Sequence, residues 1–157
     1  MNLTKNGLTI QVPDAEVVDL VLERLGSTEL TGTRSSQGFA MPSLNEGEYY
    51  AGVILGKDDA PSHHLILLPS AAEDVNWEQA KEWAAKAGGE LPTRREQSLL
   101  YANLAEQFKA EWYWSCEQHA AGSDYAWLQH FGDVYQDYSH KSYYYLRARA
   151  VRRLVIR

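Results

Sequence analysis

WYWSCEQ (112–118), YAWLQHF (125–131), VYQDYSH (134–140) and KSYYYLRARAVRR (141–153) decide how this chain reads. They are runs rich in aromatic and β-branched residues, separated by turns that contain Gly, Ser and Asp. That pattern predicts strands, and the short spacing predicts antiparallel hairpins. In 125–131 the period of two places Tyr125, Trp127, Gln129 and Phe131 on one face and Ala126, Leu128 and His130 on the other. Neither face is purely polar, so both should be partly covered. The last run alternates Leu146, Ala148 and Ala150 against Arg147 and Arg149, then changes phase through Val151. This predicts a two-sided strand buried in the sheet near the C-terminus.

Working outward, the segment before this sheet supplies helices. Asn76 with Gln79 forms a capping-box pattern ahead of a helix whose buried face is Trp77, Ala80, Trp83, Ala84 and Ala87, ended by Gly88-Gly89. Thr93-Arg94-Arg95-Glu96 is a second capping box. It opens a helix to about Phe108, with Leu100, Leu104 and Phe108 spaced four apart. Earlier still, YYAGVILG and HHLILLP flank KDDAPS as a β-hairpin. At the start, LTKNGLTIQV predicts a hairpin around Asn6-Gly7. Pro13-Asp14 then opens a helix with Val17, Val18, Leu20, Val21, Leu22 and Leu25 on its apolar face and Gly26 as C-cap. Residues 27–47 are Ser-, Thr- and Gly-rich and read as a loop or linker. The reading is α+β, with an N-terminal extension over 1–47 and one main domain over 48–157.

At 157 residues, 45% hydrophobic and 23% charged, the composition is that of one ordinary globular domain with a small appendage. The formal charge of −6 argues against nucleic-acid binding. From Lys141 onward there are six Lys or Arg and no acid, so everything before carries −12. The split reads as a basic strand neutralised within an acidic body, in preference to a basic binding patch. The single cysteine, Cys116, allows no internal disulfide and suits a reducing cytoplasm. No apolar run has the length of a signal peptide or a membrane span. The expected location is the cytoplasm, with exit inside a particle left open.

GGELPTRREQSLL (88–100), YWS (113–115), Trp127-x-x-x-Phe131 and LRARAVR (146–152) form an ordered set that resembles the Lcl C-terminal-domain-like family. This is a family of unknown function in bacterial and phage genomes, named after the C-terminal part of a collagen-like adhesin. The resemblance covers residues 75–155. It implies a C-type-lectin-like fold, a twisted antiparallel sheet flanked by two helices, and binding more often than catalysis. Cys116 stands where many members have Ser or Thr, and residues 1–47 lie outside the resemblance.

Catalytic signatures are missing. Cys116 and His119, three apart in a strand, point to opposite faces. Cys116 beside Trp114 and Ser115 reads as a small buried hydrophobe. Formylglycine-generating enzymes, which share the implied fold, need paired cysteines. His63 and His64 also face opposite ways. The His and Asp spacing fits neither zinc nor EF-hand patterns, and no phosphate-binding Gly motif is present. The reading is therefore no catalytic residue, no metal and no cofactor.

What the pattern offers is a surface. Tyr gives contact area at low entropic cost, and Asp, Gln, Ser and His give adaptable hydrogen bonds. Residues 119–125 and 132–145 concentrate these types, with His119, Asp124, Tyr125, Tyr135, Asp137, Tyr138, His140, Tyr143 and Tyr144 as candidate contacts. The expected function is a non-enzymatic binding module of phage or prophage type. Its partner is a protein or glycan, with no nucleic acid and no membrane. The alternative is a virion structural or assembly protein that forms a homo-oligomer through the N-terminal extension. Three structural expectations accompany this reading. The YWS and RAVR segments should be neighbouring antiparallel strands, Trp114 and Trp127 should be largely buried, and Thr93 should cap its helix.

Overall fold

The computed structural model describes residues 2–5, 8–11 and 40–157. The chain divides into two compact units, Met1–Met41 and Pro42–Arg157. In the first, β1 (Asn2–Lys5) and β2 (Leu8–Gln11) pair antiparallel with Lys5 opposite Leu8. That register leaves two residues for the turn, as a hairpin at Asn6-Gly7 requires. Those two residues, the helix expected after Pro13-Asp14 and residues 27–39 of the polar loop lie outside the described residues.

The second unit holds β3 (Tyr49–Ile54), β4 (His63–Leu67), β5 (Ala72–Val75), α1 (Trp77–Lys86) and α2 (Arg94–Leu104). It continues with β6 (Trp112–Gln118), β7 (Tyr125–His130), β8 (Gln136–His140), β9 (Leu146–Ala148) and β10 (Val151–Val155). Its described residues form a mixed α+β fold, mostly sheet. One sheet has the order β10-β4-β3 and the other β5-β9-β6-β7-β8.

Both helices start where the sequence places them. Asn76 accepts the Gln79 amide and Thr93 accepts the Glu96 amide, and each helix has the reciprocal side-chain bond that completes a capping box. α1 ends in a Schellman motif. Gly88 at φ +87° takes the left-handed position after the C-cap Ala87, and the Gly88 and Gly89 amides donate to the Ala85 and Ala84 carbonyls. Gly89 is required for a second reason: a Cβ there would collide with the Val151 carbonyl, against which the chain bridges through Glu90. Ala87, expected on the buried face, is exposed because it caps rather than continues the helix. α2 closes at Leu104 and a 3-10 turn over Ala105–Gln107 delivers Phe108.

Each face of the five-stranded sheet carries a core. On one, Trp77, Ala80 and Ala84 of α1 meet Trp114, Ala126, Leu128 and Ala148. On the other, Leu100 and Leu104 of α2 meet Tyr113 and Phe131 together with Ala51, Leu65, Leu67 and Val151 of the smaller sheet. Phe108 stacks on Phe131 with ring centroids 3.9 Å apart.

Three readings of the sequence are corrected. The last run is two strands, not one. β9 lies beside β6 in parallel, with Tyr113 opposite Arg147, while β10 pairs with β4 in the other sheet. YWS and RAVR are therefore not antiparallel neighbours. The crossover falls at Arg149 and Ala150, both buried. Arg149 donates to the Gln107 and Leu68 carbonyls at 2.5 and 2.9 Å, with its guanidinium 5.2 Å from the Phe108 ring. Burial pushes its pKa down. Second, Trp114 is fully buried but Trp127 is only half-buried. Third, β5, which pairs with β9 at the sheet edge, was not expected: Glu73 and Asp74 break the apolar pattern a strand would show.

Candidate functional site

Tyr125, Trp127, Tyr138 and His140 share one face of β7 and β8, because Tyr125 pairs with His140 and Trp127 with Tyr138 across the hairpin. His119, just past β6, joins them. Its ring lies 5.1 Å from Trp127 and 4.1 Å from Tyr138. Tyr138 meets Tyr125 and Trp127 edge-on, at 83° and 75°. Tyr125 is edge-on to His140 at 72°, and His140 stacks on Tyr143 at 4.1 Å. Six rings thus form one connected surface. Tyr143 is 77% exposed, so the ring that His140 supports is open to water.

The two loops expected to border this surface lie side by side. The Lys141 amide donates to the Asp124 carbonyl at 2.9 Å, and Lys141 Nζ donates to Gln118 Oε1 and to the Ser123 carbonyl. The loop tips are braced by the histidines. Nδ1 of His119 accepts the Ala121 amide and Nδ1 of His140 accepts the Ser142 amide.

Other candidates are elsewhere. Tyr135 lies in the turn at the far end of the β7–β8 hairpin, with its ring 6.1 Å from Trp112. That turn holds Val134 at φ +68°, a strained conformation for a β-branched residue. Asp137 points to the opposite face of β8, where its carboxylate accepts the Tyr138 amide at 2.8 Å. Asp124 contributes its backbone carbonyl. Tyr144 is exposed and makes no ring contact among the described residues. Residues 119–125 and 132–145 therefore do not form one face. His119, Tyr125, Tyr138, His140 and Tyr143 come together, and Tyr135, Asp137 and Tyr144 do not join them.

Sequence reasoning missed the neighbour of this surface, a cleft of about 550 Å³ at the start of α2. Thr93, Arg94, Arg95, Glu96, Glu117, Gln136, His63 and Arg153 line it. The Arg94 guanidinium stacks on Trp127 at 3.6 Å, so cleft and aromatic surface are continuous. At its floor Glu96, 1% exposed, is gripped by Arg153 at 2.6 and 2.9 Å, by His63 at 2.8 Å and by the Thr93 amide at 2.8 Å. Burial alone would raise the Glu96 carboxyl, but the bonds from Arg153, Thr93 and His63 outweigh it and hold the pKa below the usual value. The one available signal was the first arginine of TRRE, Arg94, and nothing in a linear pattern says which tryptophan an arginine will meet.

Cys116 is a poor nucleophile here. Burial pushes its thiol up to about 11, so it stays protonated at neutral pH. Among the described residues no group of three His, Cys, Asp or Glu side chains could hold a metal ion. No described helix is long and apolar enough to cross a membrane. No family model matches the chain, and no curated protein matches its sequence.

Proposed function

We propose that residues 42–157 are a non-enzymatic binding module of C-type-lectin-like fold and Lcl type, of phage or prophage origin. It takes a protein or glycan segment on the surface formed by His119, Tyr125, Trp127, Tyr138, His140 and Tyr143. The observation that carries this reading is the ring cluster itself. Tyr125, Tyr138 and Tyr143 are 39%, 45% and 77% exposed yet held by neighbouring rings. Pre-held aromatics lose little entropy on binding, and such residues dominate interface energies. The protonated Cys116 thiol supports the non-enzymatic half of the proposal. A second reading, a virion structural or assembly protein docked through its N-terminal extension, draws on Met1–Met41 being a compact unit of its own.

The test is a peptide and glycan array probed with wild type and with Tyr125→Ala, Tyr138→Ala and Tyr143→Ala. The wild type should retain a ligand that at least one variant loses by roughly 30-fold, the equivalent of an anchor worth about 2 kcal/mol. An empty array, or folded variants that all bind like wild type, refutes the surface.

A further inference from the structure

Resting on that surface, we infer that its ligand is a peptide segment and that Arg94 reads a carboxylate on it. Arg94 is fixed from four directions. Its guanidinium carbon sits over the Trp127 ring, 3.6 Å from the centroid, and its Nε donates to Gln136 Oε1 at 3.0 Å. Gln136 returns a bond to the Arg94 carbonyl at 3.2 Å, and the Arg94 amide donates to Glu117 at 2.5 Å. Gln136 is itself held by Gln129 Oε1 at 2.9 Å. Trp127 and Gln136 hold the side chain, and the other two bonds hold its backbone; fixing a long, half-buried side chain is costly in entropy, and here it is spent on a group whose Nη nitrogens have no hydrogen-bond partner among the described residues. Those nitrogens belong to a residue that lines the cleft.

Charge favours an anion. Arg153 is already matched by Glu96 and Glu90. That leaves Arg94 and Arg95 against Glu117 around the opening. Arg95 is tied to the Leu55 carbonyl at 3.1 Å, so Arg94 offers the free fork. A planar fork with two open donors matches a carboxylate. The shape of the adjoining surface favours peptide over sugar. Next to Arg94, Tyr125 and Tyr138 stand edge-on to each other, to His140 and to Trp127 at 72° to 83°, and Arg94 covers a face of Trp127. The result is a notched surface for side chains rather than a flat ring face for a pyranose. The ligand is then an acidic side chain or chain terminus beside an aromatic or apolar residue.

The probes are N-acetyl-tyrosine, N-acetyl-tyrosinamide and glucuronate, titrated into the full chain while the Trp127 indole N–H and Arg94 Nε–H are followed by NMR. N-acetyl-tyrosine should bind at least about fivefold tighter than its amide. Arg94→Gln and Arg94→Lys should abolish that preference, whereas Arg95→Ala should retain it. Melting curves of the same variants confirm that they are folded. Equal binding of acid and amide by wild type overturns the carboxylate assignment and leaves the aromatic surface standing. A preference that survives in Arg94→Gln, or is lost in Arg95→Ala, overturns the role of Arg94. Tighter binding of glucuronate than of N-acetyl-tyrosine overturns the peptide. If none of the probes shifts either signal, the carboxylate site and the aromatic surface both fall.

Discussion

Arg153→Met should be among the most damaging conservative changes in this fold. Arg153 belongs to β10, and Glu96 is the third residue of α2. Their two-pronged pair is therefore a polar tie between the smaller sheet and that helix, beside the Asn103–Ala51 and His63–Glu96 bonds. Met keeps the volume of the side chain but leaves a carboxylate 1% exposed, with only the Thr93 amide and His63 as partners. Removing one member of a buried pair typically costs about 3–5 kcal/mol. At this size each kcal/mol lowers Tm by roughly 2–4 °C, so a fall of about 6 °C or more is expected. Glu96→Gln should cost less, about 1–2 kcal/mol, because Gln also completes a capping box and no buried charge is stranded. The double variant should be more stable than the two single losses predict, by at least about 1.5 kcal/mol.

The pH dependence carries the sign. In wild type the folded-state pKa of Glu96 is depressed, so its contribution is present above the usual value of 4.5 and fades as pH falls below it. Without Arg153, burial dominates and the folded pKa rises above the unfolded one. The variant then gains stability on acidification as Glu96 takes up a proton. The gap between wild type and Arg153→Met should be widest near neutrality and narrow below pH 4.5. Urea denaturation of the four proteins at two pH values measures all of this. A loss under about 1 kcal/mol, strict additivity, or a gap that widens in acid would refute the reasoning.

Three further outcomes follow from the same structure. Trp114→Ala should cost roughly 3–5 kcal/mol by opening a cavity between α1 and the sheet, while Trp127→Ala should cost about 1–2 kcal/mol; equal losses in urea denaturation would contradict the half-buried placement of Trp127. Arg152 donates to both carboxylate oxygens of Glu48, at 2.8 and 2.7 Å, and this pairing holds the Glu48 pKa at about 2. Glu48→Gln should therefore lose about 1 kcal/mol at neutral pH after allowance for screening, and that deficit should disappear as pH falls from 4.5 to about 2. Cys116 should resist iodoacetamide in the native protein at pH 8 and react fully in guanidinium; rapid native labelling would show that the thiol is neither buried nor protonated.

Local signals survived the passage from sequence to structure, and long-range ones did not. Both capping boxes, the Gly88-Gly89 stop and the β3–β4 and β7–β8 pairings depend on residues a few positions apart, so the linear pattern contains their physics. The Leu146–Val155 run fails as one strand for an equally physical reason. A period of two continues unchanged through Arg149 and Ala150, because both sides of the crossover are buried. The change of phase at Val151, the first residue of β10, marks the crossover, but a two-sided strand and a move to another sheet give the same signature. The same limit applies to the candidate surface. His119, Tyr125, Tyr138, His140 and Tyr143 were legible from composition, and strand pairing brings them together. Arg94 was not legible, because its value depends on meeting Trp127, which lies 33 positions later in the sequence.

Asp137 shows why composition overcounts binding residues. β8 is an edge strand, and Tyr138 displays its ring on one face of it. An edge strand with free amides invites another strand to pair with it. Asp137 turns its carboxylate to the other face and takes the Tyr138 amide for itself. The negative charge and the occupied donor both discourage strand addition at the centre of β8. Tyr138 can then present an exposed ring without the edge beside it recruiting further chains. On the proposed reading, a ligand would be received through side chains, on the face that carries Arg94 and the aromatic cluster, rather than as an extra strand. Asp137 thus shares a segment with the proposed contact residues but faces away from them and guards the strand edge instead.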